Sequence, residues 1–381
     1  MRRILEAVQD AWQQVDRILL ALCCTASVFG LLLIASATHY RGSNRFVLVQ
    51  FCALLLGMVA YMLISFLDIE QLLQKWKWLA AFNIGLIALL LTPLGVTKGG
   101  NRAWLDLPRL PVNMQPAEVV KLTFILLLAK QLAQLRQKKD LSAFPNVIQP
   151  VGHTLLLFGY YYVVSSDMGS GLVYLFVFLA MAFVAGMAAR WFVLGLGGVS
   201  AGIFALWLAD ALPSHIRDRI EVLFTRDDPL GVGWQQERGI LALGSGRLTG
   251  QGLFQGTQTQ SPYSTSLPER HNDFIFCVCG EELGMLGCLA VLAILAAIIL
   301  RIFYVARHAK TGLEALICVG VGGMLMTQVL FNVGMCLYVL PVIGLTLPFF
   351  SYGGSSLLTL FMAMGLVSGV EKRSEPDWLQ T

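Results

Sequence analysis

Long apolar stretches alternate with short polar ones along most of the chain. A helix needs about 20 consecutive apolar residues to cross the hydrocarbon core of a bilayer. In the first half, stretches of roughly this length cover residues 17–38, 46–67, 78–95, 116–135 and 148–165. In the second half they cover residues 171–189, 191–211, 274–303, 314–340 and 350–370. The pattern predicts an all-α polytopic membrane protein with about ten transmembrane helices, forming one domain over residues 1–381.

One polar segment, residues 212–273, separates the seventh and eighth predicted spans. Loops of this length carry function or a small folded element. Ile216, Ile220 and Phe224 recur there at helical spacing, which predicts an amphipathic helix at the outer surface. The rest is rich in Gly, Gln, Ser and Thr and predicts an irregular surface around a polar ligand. Its GSGRLTGQG run is expected to form tight turns, because no Lys-Ser/Thr pair follows as in a phosphate loop.

Composition and charge agree with a membrane protein. Hydrophobic residues make up 56% of the chain and charged residues 13%, against about 25% charged in soluble domains. Lys and Arg are concentrated on one side of the predicted spans, whereas the short loops on the other side hold only Arg41, Arg45, Lys98, Arg102 and Arg109. Both termini are therefore expected in the cytoplasm and the long loop outside. The net charge of +4 follows from this topology and indicates no nucleic-acid surface.

The N-terminal residues and the cysteines add little chemistry. No apolar core closely follows Arg2 and Arg3, so we expect a short amphipathic helix on the inner membrane surface and no removed signal peptide. The 8 cysteines all fall within predicted spans. This placement indicates buried thiols and favours neither a disulfide framework nor a zinc site.

Ionisable residues at membrane depth are costly and are candidates for function. Glu118 and Lys121 lie about one helical turn apart in MQPAEVVKLTF, and they either line a functional cavity or form a neutral structural pair. Asp167, in a short loop between the fifth and sixth spans, is either a helix cap or a functional carboxylate. Arg102 and Arg109 lie in the external loop before Glu118, which suits contact with an anionic head group.

The stretch LPERHNDFIFCVCGEELG contains the strongest catalytic candidate. Asp273 ends the long loop where the eighth span begins, and partial burial there raises the pKa of a carboxyl group. Such a group can act as a general base. Glu281 and Glu282 lie about 12 Å deeper at 1.5 Å per residue, and we expect them to bind neighbouring helices or a polar cavity. Further on, the interrupted apolar run VIGLTLPFFSYGGSSLL predicts a re-entrant or broken-helix cavity wall.

These motifs together resemble the SEDS family (shape, elongation, division and sporulation) of bacterial membrane proteins that polymerise peptidoglycan. The similarity rests on NRAWLDL, QPAEVVKL, SDMG, LGSGRLTGQGLFQGTQTQ, LPERHNDFIFCVCGEELG and LPFFSYGGSSLL, which occur in family order. Within the family, GLFQGTQTQ and LPERH are more similar to RodA than to FtsW. The chain departs from the family pattern at Asn113, Ser166, Arg247 and Asn272.

The resemblance implies glycosyl transfer, in which the 4-hydroxyl of an acceptor lipid II attacks the anomeric carbon of a lipid-linked donor glycan and releases undecaprenyl diphosphate. It assigns the family's functional aspartate to Asp273, as the base that activates the acceptor. A diphosphate leaves without protonation when cations neutralise its charge, so Lys/Arg or a divalent cation (Mg or Mn) would suffice. The residues implied in substrate binding are Arg102, Arg109, Gln115, Glu118, Lys121, Asp167, Glu269, Arg270, His271, Ser351, Tyr352, Gly353, Gly354 and Ser355.

The resemblance also implies partners, a location and a role. The ligands are lipid II and undecaprenyl-diphosphate-linked glycan, and the protein partners are a class B penicillin-binding protein (a transpeptidase) and other membrane proteins of the elongation complex. The expected location is the bacterial cytoplasmic membrane, with the active site on its external face, and the expected role is cell-wall elongation and rod-shape maintenance. Two alternatives stay open: a lipid II flippase with Glu118 and Lys121 along its path, and a division or sporulation paralogue of the FtsW or SpoVE type.

Overall fold

The structure is a computed structural model that describes residues 15–107, 113–138, 141–211, 217, 221–222, 232–263 and 266–374. In the first half its elements are α1 (Arg17–His39), α2 (Arg45–Ser65), α3 (Ile69–Gln74), α4 (Trp76–Ala88) with a 3-10 turn (Leu89–Leu91), β1 (Gly95–Lys98), β2 (Asn101–Leu105), α5 (Pro116–Lys138) and α6 (Phe144–Ser165). In the second half they are α7 (Met168–Ala185), α8 (Ala189–Leu208), α9 (Val232–Ser245), α10 (Ile275–His308), α11 (Gly312–Cys336) and α12 (Gly354–Ser374).

The predicted fold class is confirmed, since each predicted span coincides with a helix. Among the described residues, 8 helices are long and apolar enough to cross a membrane. The remaining two predicted spans correspond to α4 with its 3-10 turn and to α5, which carries Glu118, Lys121 and Lys130. The chain is therefore a multi-pass membrane protein, and its helix boundaries differ from the predicted ones by a few residues.

The helices pack most closely where small residues meet bulky neighbours. α12 lies along α2, and a β-carbon at Gly365 would come within 2.7 Å of the Tyr61 carbonyl oxygen. Likewise, a β-carbon at Gly57 of α2 would come within 2.8 Å of the Phe361 ring of α12. Such contacts are typical of membrane helices, where close packing replaces the hydrophobic effect. Helix α11 lies at the centre of the bundle against α7, α10 and α5, whereas α8 has no buried residue and lies outside.

A small hairpin interrupts the helices between α4 and α5. Strands β1 and β2 pair antiparallel, with Val96 opposite Trp104. The turn between them is formed by Gly99 and Gly100, both with positive φ, which a tight hairpin turn requires. The pattern of apolar and polar residues did not predict these strands, because they are only 4 and 5 residues long.

Helix α10 is broken at Gly284, whose φ of 68° and ψ of −165° are not helical. The interrupted helical hydrogen bonds are replaced by the GSGRLTGQG run, because Gln251 and Gly252 donate to the carbonyls of Glu281 and Glu282. A β-carbon at Gly250 would lie 2.1 Å from the Glu282 carbonyl oxygen. The glycines of this run therefore permit both positive φ and a close approach to α10.

The predicted irregular surface of the long loop needs one correction. Residues 232–245 form the helix α9, whose Gln236 donates hydrogen bonds to the carbonyls of Met335 and Leu340. The surface helix predicted around Ile216, Ile220 and Phe224 lies outside the described residues, as do the N-terminal helix near residues 4–14 and Arg109.

Candidate functional site

Asp273 lies directly before α10, and the chain around it is held by three consecutive backbone carbonyls. The His271 carbonyl accepts from the Tyr352 amide at 2.8 Å, and the Asn272 carbonyl accepts from the Ser351 hydroxyl at 2.7 Å. The Asp273 carbonyl accepts from Asn332 Nδ2 at 2.8 Å. Because these donors come from α11 and from the irregular segment before α12, the direction of the Asp273 side chain is set by tertiary structure.

Two amide side chains fix the segment that donates these bonds. Asn332 is fully buried, and its Nδ2 also donates to the Leu345 carbonyl at 2.7 Å. Gln50 of α2 donates to the Ser351 carbonyl and accepts from the Gly353 amide. The irregular stretch between α11 and α12, predicted as a broken-helix wall, thus lies against Asp273 and is anchored on both sides.

We expect Asn332→Ala to reduce turnover by about tenfold or more, because it removes the donor shared by the carbonyls of Asp273 and Leu345. The assay is the glycan polymerisation that the family resemblance implies, with thermal unfolding measured alongside. Gln328→Ala provides a matched control, since Gln328 is a buried amide one turn earlier on α11. Wild-type turnover in a folded Asn332→Ala protein would contradict a positioning role for Asn332.

The Asp273 carboxylate is half-buried and, among the described residues, no side chain donates a hydrogen bond to it. A β-carbon at Gly344 would lie 3.8 Å from its Oδ2 atom, so Gly344 leaves space beside the carboxylate. Burial, together with the negative charges of Glu269 and Asp167, raises the pKa of Asp273 to about 7. A carboxylate with this pKa and without an internal donor can exchange protons near neutral pH.

Asp167 caps a helix beside this site. Its Oδ1 accepts from the Ser170 amide at the start of α7, and its Oδ2 accepts from Tyr161 at 2.9 Å and from Gln115 at 3.2 Å. Gly169 lies against the Ile343 carbonyl, so this loop contacts the segment that faces Asp273. The structure favours the helix-cap interpretation of Asp167, and Gln115 joins the start of α5 to the same loop.

Glu118 and Lys121 form a buried ion pair within α5, with 2.7 Å between Oε1 and Nζ. Both side chains are almost inaccessible, at 6% and 0% exposure. Their direct pairing favours the interpretation as a neutral structural pair, in which each charge offsets the burial of the other.

The arginines predicted to face an anion are occupied by the protein itself. Arg270 is buried and donates to five carbonyls of the long loop: Leu267, Gln258, Thr259, Ser261 and Tyr263. Arg102 donates to the carbonyls of Leu91 and Thr92 at the end of the 3-10 turn. These bonds stabilise the chain fold, Arg102 Nε has no partner among the described residues, and substrate binding by Arg102 and Arg270 stays a prediction.

An aromatic cluster that includes two predicted residues lies next to Asp273. The Phe46 ring packs edge-on against His271, with 4.9 Å between centroids, and against Tyr352 at 5.0 Å. Arg41 lies over the other side of Phe46 at 5.0 Å. Burial lowers the pKa of His271 to about 4 despite the nearby Glu269, so His271 is neutral at pH 7. His271 therefore contributes an aromatic and hydrogen-bonding surface, not a positive charge.

The sequence pattern identifies Arg41 and Arg45 only as charges in an external loop and does not distinguish Phe46. The positive charge of Arg41 lowers the pKa of His271, and that of Arg45 opposes the burial that raises the pKa of Tyr352. Both arginines thus act on the cluster beside Asp273. The available signal was the composition of the short HYRGSNRF loop, in which two arginines and two aromatic residues occur together.

The two deeper carboxylates, which were expected to bind neighbouring helices or a polar cavity, bind the long loop, and Glu282 also binds the neighbouring helix α1. Both Glu281 oxygens accept hydrogen bonds from residues 257–259, and Glu282 accepts from Ser36 of α1, Gly256 and Gln260. Both glutamates are 0% exposed. Their carboxylates therefore fold residues 256–260 back onto the broken helix α10.

The other predicted residues are distributed around this core. Glu269 is exposed, has positive φ and accepts from Asn272 at 2.7 Å. Gly354 and Ser355 begin α12, and the Ser355 carbonyl accepts from Thr359. In the described ranges, no group of three or more His, Cys, Asp or Glu side chains could hold a metal ion. The divalent cation stays a prediction, and no step below uses one.

Comparison with known proteins identifies the family. Residues 15–375 match the family of cell cycle proteins that comprises FtsW, RodA and SpoVE. The chain belongs to this family. A probable peptidoglycan glycosyltransferase FtsW of Thiomicrospira cyclica is 35% identical over 321 residues, covering 83% of this chain and 79% of that protein. The peptidoglycan glycosyltransferase MrdB of Escherichia coli K12 is 34% identical over 279 residues, covering 72% of each chain.

The fold is also similar to a chain in a solved structure concerned with the coordination of polymerization and crosslinking by a peptidoglycan synthase complex. The TM-score is 0.80 at 29% identity, and the similarity covers 95% of this chain and 99% of that chain. The predicted family is confirmed by these matches. The narrower prediction, that the chain is more like RodA than FtsW, stays a prediction.

Proposed function

We propose that this protein is a peptidoglycan glycosyltransferase that polymerises lipid II, with Asp273 as the general base. The observation that carries the proposal is the arrangement at Asp273: a half-buried carboxylate, fixed through its backbone, without a described internal donor. The relatives named as peptidoglycan glycosyltransferases support the reaction class.

The chemistry follows from one base and a good leaving group. The Asp273 carboxylate accepts the proton of the acceptor's 4-hydroxyl as that oxygen attacks the anomeric carbon of the donor. The bond from that carbon to the diphosphate breaks, and the electron pair leaves on the diphosphate oxygen. A glycoside hydrolase needs a second carboxyl group to protonate a poor leaving group, whereas a diphosphate needs only neutralising cations.

Arg41 and Arg45 are our candidates for those cations. The donors of Arg102 and Arg270 point to backbone carbonyls, whereas Arg41 is exposed at the rim of the aromatic cluster. The faces of Phe46 and Tyr352 offer apolar surface for a sugar ring beside Asp273.

In the cell, we infer a role in wall elongation and rod-shape maintenance, with the site on the external face and both termini in the cytoplasm. The distribution of Lys and Arg supports this orientation. A class B penicillin-binding protein is the proposed partner, and a neighbouring structure from a peptidoglycan synthase complex supports an assembly of this kind.

The proposal is tested with purified protein in liposomes that contain fluorescent lipid II and the partner transpeptidase. We expect glycan strands that are visible on a gel and that depend on the protein. Movement of lipid II across the bilayer without any polymer would overturn the proposal in favour of the flippase. The flippase gains no support from Glu118 and Lys121, because these two side chains pair with each other.

The pH dependence of polymerisation provides an independent prediction. Asp273 must be deprotonated to accept a proton, so the rate should rise with pH through the pKa of about 7. Glu269→Gln removes a negative charge that raises this pKa, and the rising limb should therefore shift to lower pH. Measurement of kcat/KM from pH 5 to 9 checks both effects. Glu237→Gln, on the exposed side of α9, should leave the limb in place, and a limb unaffected by Glu269→Gln would contradict the assignment.

A further inference from the structure

A cavity of about 430 Å³ lies at the end of the bundle opposite Asp273, between α4, α5 and α6. Gln115, near the Asp273 site, and Lys130, at the cavity, are separated along α5 by about 22 Å at 1.5 Å per residue. The cavity therefore plays no part in the reaction proposed above. Its lining residues are Trp76, Ala80, Leu127, Lys130, Gln131, Gln134 and His153.

One wall of the cavity carries positive charge next to an indole ring. Lys130 Nζ donates to the Leu73 carbonyl at 2.6 Å and lies 5.7 Å from the centre of the Trp76 ring. Lys77 Nζ lies 5.9 Å from the same ring. An ammonium group has three donors, so the bond to Leu73 leaves Lys130 able to contact an anion in the cavity. No Asp or Glu occurs among the described residues that line this cavity, whereas Glu70 lines the adjoining cavity, which Lys130 also borders.

The opposite wall is polar and uncharged. His153 Nδ1 and Gln131 Oε1 are 3.1 Å apart, an arrangement in which the ring nitrogen donates to the amide oxygen. The Nε2 atom of a neutral His153 is then an acceptor, and the Gln131 amide group is a donor. Gln134, which is exposed, lines both this cavity and a second one that is bounded by α3 and the start of α11. These groups suit the hydroxyl and ester oxygens of a glycerol unit.

Large apolar side chains are exposed on the outside of α4 and α6, two of the helices that bound the cavity. Trp78 and Phe82 of α4 are 77% and 46% exposed, and Leu156 of α6 is 76% exposed. Ala80 and Leu127 form the apolar part of the lining. A ligand with a charged head and a hydrocarbon tail could therefore place its head at Lys130 and its tail along the outside of α4 and α6.

We propose that this cavity binds an anionic glycerophospholipid, with its phosphate between Lys130 and Lys77, its glycerol oxygens at Gln131 and His153, and an acyl chain beside Ala80 and Leu127. Basic pockets between transmembrane helices recognise such head groups. The site is separate from the polymerising site, and its test does not depend on enzymatic activity.

The experiment is native mass spectrometry of the full chain in detergent, titrated with phosphatidylglycerol or with phosphatidylcholine of the same acyl chains. We expect the wild type to retain phosphatidylglycerol preferentially. Lys130→Met keeps the aliphatic stem and should weaken this binding about tenfold, the effect of losing one charge-assisted contact. Lys130→Arg should retain the preference. Arg136→Met is the matched control, because it removes one charge from an exposed position of the same helix and should change binding less than twofold.

Equal retention of both lipids by the wild type would overturn the proposal, as would Lys130→Met binding phosphatidylglycerol like the Arg136→Met control. A third arm uses undecaprenyl phosphate. Stronger binding of this polyprenyl lipid than of phosphatidylglycerol, lost in Lys130→Met, would assign the cavity to substrate passage and would also overturn the glycerophospholipid proposal.

Discussion

Asp273→Asn is expected to abolish glycan polymer while the protein remains folded and bound to its partner. The substitution keeps the shape of the side chain but removes the atom that accepts the acceptor's proton. Loss of a general base typically costs about 10²–10⁴ in rate. The measurement is lipid II polymerisation in liposomes with the cognate transpeptidase, and binding to that partner is measured on the same sample.

The pH dependence of the wild-type rate provides a control for the Asp273→Asn variant. The structure holds the Asp273 segment through backbone carbonyls, so the side-chain change leaves those three hydrogen bonds in place. Since the pKa of Asp273 is raised to about 7, the wild type itself is increasingly protonated as the pH falls. The rate ratio between wild type and variant should therefore shrink below pH 7. Normal polymer from Asp273→Asn would remove Asp273 from the mechanism.

The position of Asp273 could be predicted from the sequence, but the network that holds it could not. A carboxylate between a polar loop and an apolar stretch is visible in the pattern of hydrophobic and polar residues. Its backbone partners Asn332 and Ser351 are separated from the acceptor carbonyls by 59 and 79 positions, and Gln50 lies 301 positions from the Ser351 carbonyl that it binds. Side-chain contacts over such separations depend on how the helices pack.

The contacts of the arginine side chains could not be predicted from the sequence either. Arg102 and Arg270 occur in the right motifs, but a motif does not show whether a guanidinium group faces a ligand or a backbone carbonyl. Arg270 is enclosed by the loop that it stabilises, whereas Arg41, in a short loop between α1 and α2, lies beside Phe46 at the site. The distribution of Lys and Arg predicts that these residues lie on the external face but does not distinguish their roles.

The carboxylates of Glu281 and Glu282 were expected at membrane depth, but their partners depend on the break in α10. In an unbroken helix, the backbone carbonyls would accept hydrogen bonds from the helix itself. They would then not bind the amides of the loop. The positive φ of Gly284 interrupts that pattern, and Gly250 and Gly252 allow the loop to approach. The sequence signal was the coincidence of GSGRLTGQG with a glycine inside the eighth apolar stretch.

We expect Glu281→Gln to destabilise the protein and release residues 257–259 from α10. In the wild type, Oε1 accepts from Thr257 Oγ1 and the Gln258 amide, and Oε2 accepts from the Thr259 amide and hydroxyl. Glutamine offers one acceptor oxygen and directs an NH₂ group at the other pair of donors. The hydroxyl of that pair can accept from the NH₂ group, whereas its backbone amide is left without an acceptor, at a cost of about 1–3 kcal/mol. Thermal unfolding measures the loss of stability, and limited proteolysis detects the released loop.

Glu237→Gln is the matched control for charge, since it replaces the same kind of side chain at an exposed position of α9. It should unfold like the wild type and show the same cleavage pattern. If Glu281→Gln also behaved like the wild type in both assays, the carboxylate would not be what holds the loop. Because residues 257–263 also supply the carbonyls that bind Arg270, their release should carry Arg270 with it and disturb His271 and Asp273 next in the chain. Polymerisation should therefore fall in Glu281→Gln even at temperatures where the helices remain folded, which links a buried carboxylate of α10 to the chemistry at the end of the loop that it holds.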